Sequence, residues 1–209
     1  MIDYYFDTID TGALCRGGGN GPFHPSQFRG LSLVSKGESL LDVGCGSGTT
    51  AECILKHFKD RDIKYKGIDQ VKRHIDWCKK EWPELDFEVQ EAKKLKEPDN
   101  SWDVVWSRHV VDHVSSFEKT IDEHFRVAKK KVICILWYPF SDTNKHSIKH
   151  VKYGEKTYKN EFLNQYSLSK VLWFLKSKYP EWRLSCFFNI ALAMNKQGDT
   201  LFYLEKNED

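Results

Sequence analysis

The sequence predicts an α/β fold: a doubly wound, seven-stranded, mostly parallel sheet that closes with a C-terminal antiparallel hairpin. Three observations carry that expectation. From Ser39 onward, short β-rich runs alternate with stretches of helical apolar spacing. The run Val132-Ile133-Cys134-Ile135-Leu136 is apolar throughout, as expected of a strand buried on both faces. The last two β-rich runs, Trp182–Met194 and Thr200–Lys206, are separated only by Asn195-Lys196-Gln197-Gly198-Asp199, a short turn that folds one strand back on the other.

The elements follow in order. Residues 1–36 hold few periodic signals, and Arg16-Gly17-Gly18-Gly19-Asn20-Gly21-Pro22 is dense enough in chain-turning residues to be a loop. It is either a plain connection or a flap over a ligand, where Arg16 would pair with a carboxylate. Ser26 to Leu33 reads as a short helix. Strand 39–43 is followed by helix 49–58, with Ala51, Ile54, Leu55 and Phe58 on one stripe. Strand 65–69 ends on Asp69. Helix 71–82 puts Val71, Ile75, Cys78 and Trp82 on one face before Pro83 stops it. Strands 86–90 and 102–106 come next. Ser115 and Glu118 have capping-box spacing and open a helix to about residue 128, ahead of strand 132–136. Residues 138–166 are polar, rich in Lys, His and Tyr, and too long for a plain connection. Ser167 to Lys178 reads as a helix with Leu168, Val171, Leu172 and Leu175 inward.

At 209 residues the chain has the length of a single domain, with 1–36 as an N-terminal flap and 138–166 as an insert. Hydrophobic residues make up 40%, and no run approaches the roughly 20 residues that span a bilayer. The start Met1-Ile2-Asp3-Tyr4-Tyr5 lacks the basic and apolar regions of a signal peptide. The six cysteines form no C-x-x-C pair, so free buried thiols in a reducing compartment are expected, with no metal. The 32 basic and 30 acidic side chains give a net charge of +2. That balance offers no general attraction to nucleic acid or membranes. A cytoplasmic location is the expectation, as monomer or homodimer.

The most informative stretch is Leu41-Asp42-Val43-Gly44-Cys45-Gly46-Ser47-Gly48, where a strand runs through an acid into alternating glycines and then a helix. A P-loop would need Gly-Lys-Ser/Thr, and no lysine is present. The dinucleotide fingerprint would need a third glycine where Thr49 stands. The pattern Asp42-x-Gly44-x-Gly46-x-Gly48 resembles the first motif of the class I S-adenosylmethionine-dependent methyltransferases, in their small-molecule (methyltransferase-11-like) branch. The resemblance runs through about residues 37–136. It continues in Asp69 ending the second strand, in Glu91-Ala92 after the third, and in the run Leu95–Val105 into the fourth. Ser107 to Val114, with Asp112-His113, looks like the segment after that strand, where the family often has Glu-His.

The resemblance implies a Rossmann-like fold and S-adenosyl-L-methionine as cofactor, released as S-adenosyl-L-homocysteine. Carried over residue by residue, it implies a loop of Asp42, Gly44, Cys45, Gly46 and Gly48 beneath the methionine end. Asp69, with Gln70 beside it, would take the ribose, and Glu91 and Ala92 would lie at the adenine. Ser107 and Arg16 complete the expected contacts. A carboxylate suits the ribose because it can accept hydrogen bonds from both hydroxyls.

A sulfonium methyl is already activated, so the protein mainly aligns an acceptor, a task that accounts for about 7–11 kcal/mol of barrier. A placed base adds about 10²–10⁴-fold. His109 and His113 follow the fourth strand at the carboxyl edge, where ligands of open α/β sheets sit. They are the candidate catalytic residues, since histidine suits proton removal near neutral pH; His109 is the better placed as a base, and His113 is either a second such group or a packing residue beside the cofactor. The expected reaction is methylation of a small molecule at a hydroxyl, sugar-like or another polar metabolite. RNA or protein methylation, or non-catalytic cofactor binding as a partner module, are the alternatives. In the insert, Lys145, His146, Lys149, His150, Lys152, Tyr153, Tyr158 and Tyr166 form either a substrate cap or a solvated basic surface.

Overall fold

In the computed structural model, residues 25–137, 140–153, 156–191 and 198–207 are described, with side chains described outside 146–163 and 185–198. A short helix α1 (Pro25–Leu31) leads into β1 (Ser39–Val43), α2 (Thr49–His57), β2 (Lys64–Asp69) and α3 (Lys72–Glu81). Then come β3 (Asp86–Val89), β4 (Trp102–Arg108), a 3-10 turn at Val111–His113, α4 (Phe117–Val127) and β5 (Ala128–Leu136). The chain continues through β6 (Lys145–Tyr153), β7 (Lys156–Gln165), α5 (Leu168–Lys178), β8 (Trp182–Ala191) and β9 (Gly198–Lys206).

Seven strands form one sheet in the order β3-β2-β1-β4-β5-β9-β8. Pairs among β1 to β5 are parallel, while β9 runs antiparallel to both β5 and β8. The order reverses between β1 and β4, which opens a crevice at the carboxyl ends of those strands. Because β9 is antiparallel, its first residues reach that same edge, with Thr200 opposite Leu136.

Alternation along the strands builds a core on each face. Leu40, Val104, Trp106, Ile133 and Ile135 pack on one side with Leu31, Ile54 and Ile75 of the first three helices. Leu41, Val105, Val132, Cys134 and Phe202 pack on the other, against Ile121 and Phe125 of α4 and Leu175 of α5. Each fully buried side chain of this size contributes about 1.5–3 kcal/mol. The sheet is therefore a rigid platform for whatever its edge carries.

Two local expectations are revised. The first residues of α4 are capped by Ser116, whose Oγ accepts from the Lys119 N–H at 3.4 Å, so the cap is the second serine and not Ser115. On α5, Val171 and Leu175 are buried, but Leu168 and Leu172 are 37% and 38% exposed. That helix rests on a narrow stripe, and the two leucines lie on its flank. The insert after β5 carries β6 and β7, which pair antiparallel as a separate two-stranded sheet. Its base is fixed to the main domain, as Asn164 Nδ2 donates to Val114 O at 2.8 Å and Tyr166 OH to Val111 O at 2.7 Å. Among the described residues, no helix is long and apolar enough to cross a membrane, and Cys45, Cys53, Cys78 and Cys134 are free and buried.

Candidate functional site

The glycine loop begins where β1 ends. Gly44 N–H and Cys45 N–H both donate to Ile68 O, at 2.7 and 2.9 Å, which ties the loop to the end of β2. Gly44, Gly46 and Gly48 have φ of 75°, 54° and 77°, a region that costs other residues energy. At Gly46 an added Cβ would meet nothing within 4 Å, so the loop turns bare backbone toward open space. Behind it, Cys78 Sγ donates to Gly46 O at 3.4 Å and couples α3 to the loop.

Asp69 holds this arrangement together. One carboxylate oxygen accepts from Gly46 N–H at 2.9 Å, the other from Val71 N–H at 2.8 Å. A carboxylate has about four acceptor sites, so two remain for a ligand. Its side chain is 12% exposed, with the buried His74 ring 3.6 Å away. Gln70 beside it is exposed.

Asp42 stands behind the loop at 1% exposure. Tyr65 OH donates to it at 2.8 Å. Burial raises its carboxyl to about 7, against the lowering effect of hydrogen bonds from Tyr65 and Thr50. Cys45 is buried, and burial pushes its thiol well up.

After β3, Glu91 is exposed and Ala92 half-buried. The segment that carries them is pinned from both ends. Gln90 is buried, accepts from Lys96 N–H at 2.9 Å, and donates to Glu88 and Glu97 at 3.0 Å. Arg126 of α4 donates to Glu97 O and Leu95 O at 2.9 and 3.1 Å while paired with Glu123. The open glycine, the acid at its side and this anchored segment line one edge, and together they suit the adenosylmethionine that the sequence pattern implies.

The fourth strand contributes Ser107, buried, with its hydroxyl 3.4 Å from Cys134 Sγ. His109 follows at φ 56°, held by its N–H to Ile135 O at 2.8 Å. Its ring lies 4.7 Å from the Trp137 ring, and the His113 ring lies 6.5 Å from the same tryptophan. Trp137 is fixed in turn by Asp112, whose carboxylate accepts its N–H at 3.0 Å. Both predicted histidines therefore converge on one tryptophan. Burial, helped by the nearby Arg108 charge, lowers the His109 imidazole to about 4, with Asp199 opposing.

Asp199 was not among the sequence candidates. It stands at the start of β9, 3.0 Å from His109 Nε2 and 3.9 Å from Arg108 Nη2, and it accepts a hydrogen bond from Ser26 Oγ on α1. In the sequence it belongs to the turn set Asn195–Asp199. The one signal available was an acid just ahead of the apolar run Leu201–Leu204. Arg16 lies outside the described residues, as does Tyr138. The side chains of His146, Lys149, His150, Lys152, Tyr153 and Tyr158 are likewise outside them, while Lys145 is exposed and Tyr166 buried.

Residues 41–136 match the protein family described as "Methyltransferase domain". The 2-methyl-6-phytyl-1,4-hydroquinone methyltransferase of Synechocystis sp. is 31% identical over 150 residues, 68% of this chain and 44% of that protein. The ajmaline N-methyltransferase of Rauvolfia serpentina is 35% identical over 107 residues, 48% of this chain and 36% of that protein. The chain thus spans less than half the length of either. A solved structure of the 1,6-didemethyltoxoflavin-N1-methyltransferase of Burkholderia thailandensis, holding S-adenosylhomocysteine, superposes with a TM-score of 0.68 at 9% identity. That match covers 88% of this chain and 78% of the other, and it shows a shared fold.

Proposed function

Because the chain belongs to the class I S-adenosylmethionine-dependent methyltransferases, in their small-molecule branch, we propose that it methylates a small, polar acceptor at a hydroxyl group. S-adenosylmethionine supplies an electrophilic methyl on sulfur. Gly44, Gly46 and Gly48 give its methionine end a backbone floor, Asp69 receives the ribose hydroxyls, and Glu91 and Ala92 flank the base. Asp42, Cys45, Gln70 and Ser107 shape the same crevice from behind and beside it. With that methyl donor bound, His109 would take the proton that the acceptor hydroxyl gives up as it is methylated.

The observation that carries this reading is His109 itself. Its imidazole stands at the carboxyl edge of β4, against Trp137 and within 3.0 Å of a carboxylate. Burial weakens the imidazole as a proton acceptor, and the Asp199 carboxylate beside it opposes that loss by favouring the charged ring. His113, its ring 6.5 Å from Trp137, belongs to the same acceptor wall. The names of the relatives carry a hydroquinone in one case and ajmaline in another, so the acceptor is read from this chain's own edge. The β6–β7 hairpin, anchored by Tyr166 and Asn164 next to His113, serves as the cap over it.

Two measurements test the proposal. Calorimetric titration with S-adenosylmethionine, S-adenosylhomocysteine and NAD should show binding of the two sulfur compounds only. A labelled-methyl screen over sugars, catechols and small acids should yield an O-methylated product, and His109→Ala should abolish it while leaving cofactor affinity intact. Near-normal turnover in that variant would remove His109 from the mechanism.

A further inference from the structure

Asp199, His109 and Ser26 come from three separate parts of the chain and meet at the carboxyl edge of the sheet. Asp199 is buried, and each of its oxygens faces a different partner: Oδ1 lies 3.0 Å from His109 Nε2, and Oδ2 accepts from Ser26 Oγ. Arg108 Nη2 stands 3.9 Å from the same Oδ2. Burial alone would raise this carboxyl, yet His109, Ser26 and Arg108 together hold it below the ordinary carboxylate range. An ionised acceptor therefore faces one specific nitrogen of the ring. The ring nitrogen is at hydrogen-bonding distance, with its N–H direction off the line to Oδ1.

We infer that Asp199 is the positioning residue of His109: it takes the Nε2–H proton as a hydrogen bond, which leaves Nδ1 as the nitrogen that accepts the acceptor's proton. The inference rests on the reading of His109 as the base. Ser26 fixes the orientation of Asp199 by occupying its second oxygen. Among the described residues, the charged and titratable groups that face His109 are Asp199 from β9, Arg108 from β4 and His113 from the 3-10 turn. Of these three, Asp199 stabilises the imidazolium that forms when the hydroxyl proton arrives, since the other two are cationic or become so. Which nitrogen is protonated follows from what its partner can accept, and a carboxylate can accept only.

The test uses the full chain labelled with ¹⁵N-histidine, with His109 assigned by comparison with His109→Gln. The wild-type protein should show His109 protonated at Nε2, with an exchange-protected proton shifted downfield by its charged acceptor. In Asp199→Asn that proton signal should move upfield or vanish, while S-adenosylhomocysteine affinity changes by less than about twofold and kcat falls about 10-fold or more. A proton on Nδ1 in the wild-type protein would overturn the inference, as would an Nε2–H signal unmoved in Asp199→Asn. The wild-type tautomer needs no variant, so the inference remains testable if Asp199→Asn does not fold. An Nε2–H tautomer in a protein whose His109→Gln variant remains active would defeat the catalytic reading and leave the pair itself standing.

Discussion

Val110 fills the space that a side chain on Gly44 would require: a Cβ there would lie 2.3 Å from Val110 Cγ2. The residue next to His109 thus packs directly on the first glycine of the loop, and the two halves of the crevice share a contact. Gly46 has a similar left-handed backbone but no neighbour within 4 Å of an added Cβ. Both alanine substitutions incur the left-handed penalty of about 1–2 kcal/mol, and only Gly44→Ala adds overpacking of about 1–3 kcal/mol. Denaturant unfolding should rank Gly44→Ala as the less stable variant. Gly46→Ala should lose mainly cofactor affinity by calorimetry. Equal stability losses would mean that Val110 yields freely.

Asp69 is predicted to matter twice. Replacing it with alanine removes a ligand carboxylate and also strips partners from Gly46 N–H and Val71 N–H. Hydrogen bonds to charged groups are worth about 1.5–3 kcal/mol, so S-adenosylhomocysteine affinity should fall roughly 10- to 100-fold. Unfolding midpoints should also drop in the absence of ligand. An Asp69→Ala protein that binds normally would move the ribose contact elsewhere.

The Asp42 carboxyl gives a pH signature. Its folded value of about 7 lies above the ordinary 3.8, so the folded state binds the extra proton between those values. Its contribution to stability is therefore present below about pH 4 and is lost as pH rises through about 7, a change of up to roughly 4 kcal/mol. The buried His124 acts in the opposite sense: burial lowers it from 6.5 to about 4, so its contribution is lost as pH falls through that window. Subtracting the stability of Asp42→Asn from that of the wild type across pH 4–8 isolates the first effect. The variant should gain relative to the wild type as pH rises. A flat difference would place Asp42 in an ionised state throughout.

Away from the crevice, Lys131 is held by both oxygens of Glu38 at 2.9 Å, by Ser35 Oγ at 3.1 Å and by Leu33 O at 3.2 Å. Both side chains are only 9% exposed. Removing one partner of such a pair costs about 3–5 kcal/mol because the other charge stays buried. Glu38→Leu should therefore cost that much, and Glu38→Leu with Lys131→Met should recover a large part of it. The check is a double-mutant cycle by urea unfolding. A double variant as weak as the single would show that the pair is net stabilising.

The parts of the fold that a sequence can show are those with a local cause. The alternation of strands and helices, the glycine loop and Asp69 at the end of β2 all depend on neighbours a few residues apart, and they were legible. So was the placement of His109 and His113 just after β4, because position after a strand is also local. The inward face of α5 was not, since Leu168 and Leu172 differ from Val171 and Leu175 only in what packs over them. The cap of α4 was displaced by one residue because Ser115 and Ser116 are chemically equivalent. Asp199 was missed for a deeper reason. Its partner His109 reaches it only because β9 returns antiparallel beside β5, and no spacing rule encodes that return.

That same return has a price in time. Strand β5 finds its neighbour on one side only when β9 is complete, although β4 is there from the start. At about 5–20 residues per second, the roughly 60 residues between them take about 3–12 s to synthesise. Throughout that interval an apolar strand presents an unpaired edge, the template on which chains join to one another. A ribosome that stalls before residue 206, or a truncation at that point, leaves a chain with its cofactor loop encoded and its sheet open to aggregation.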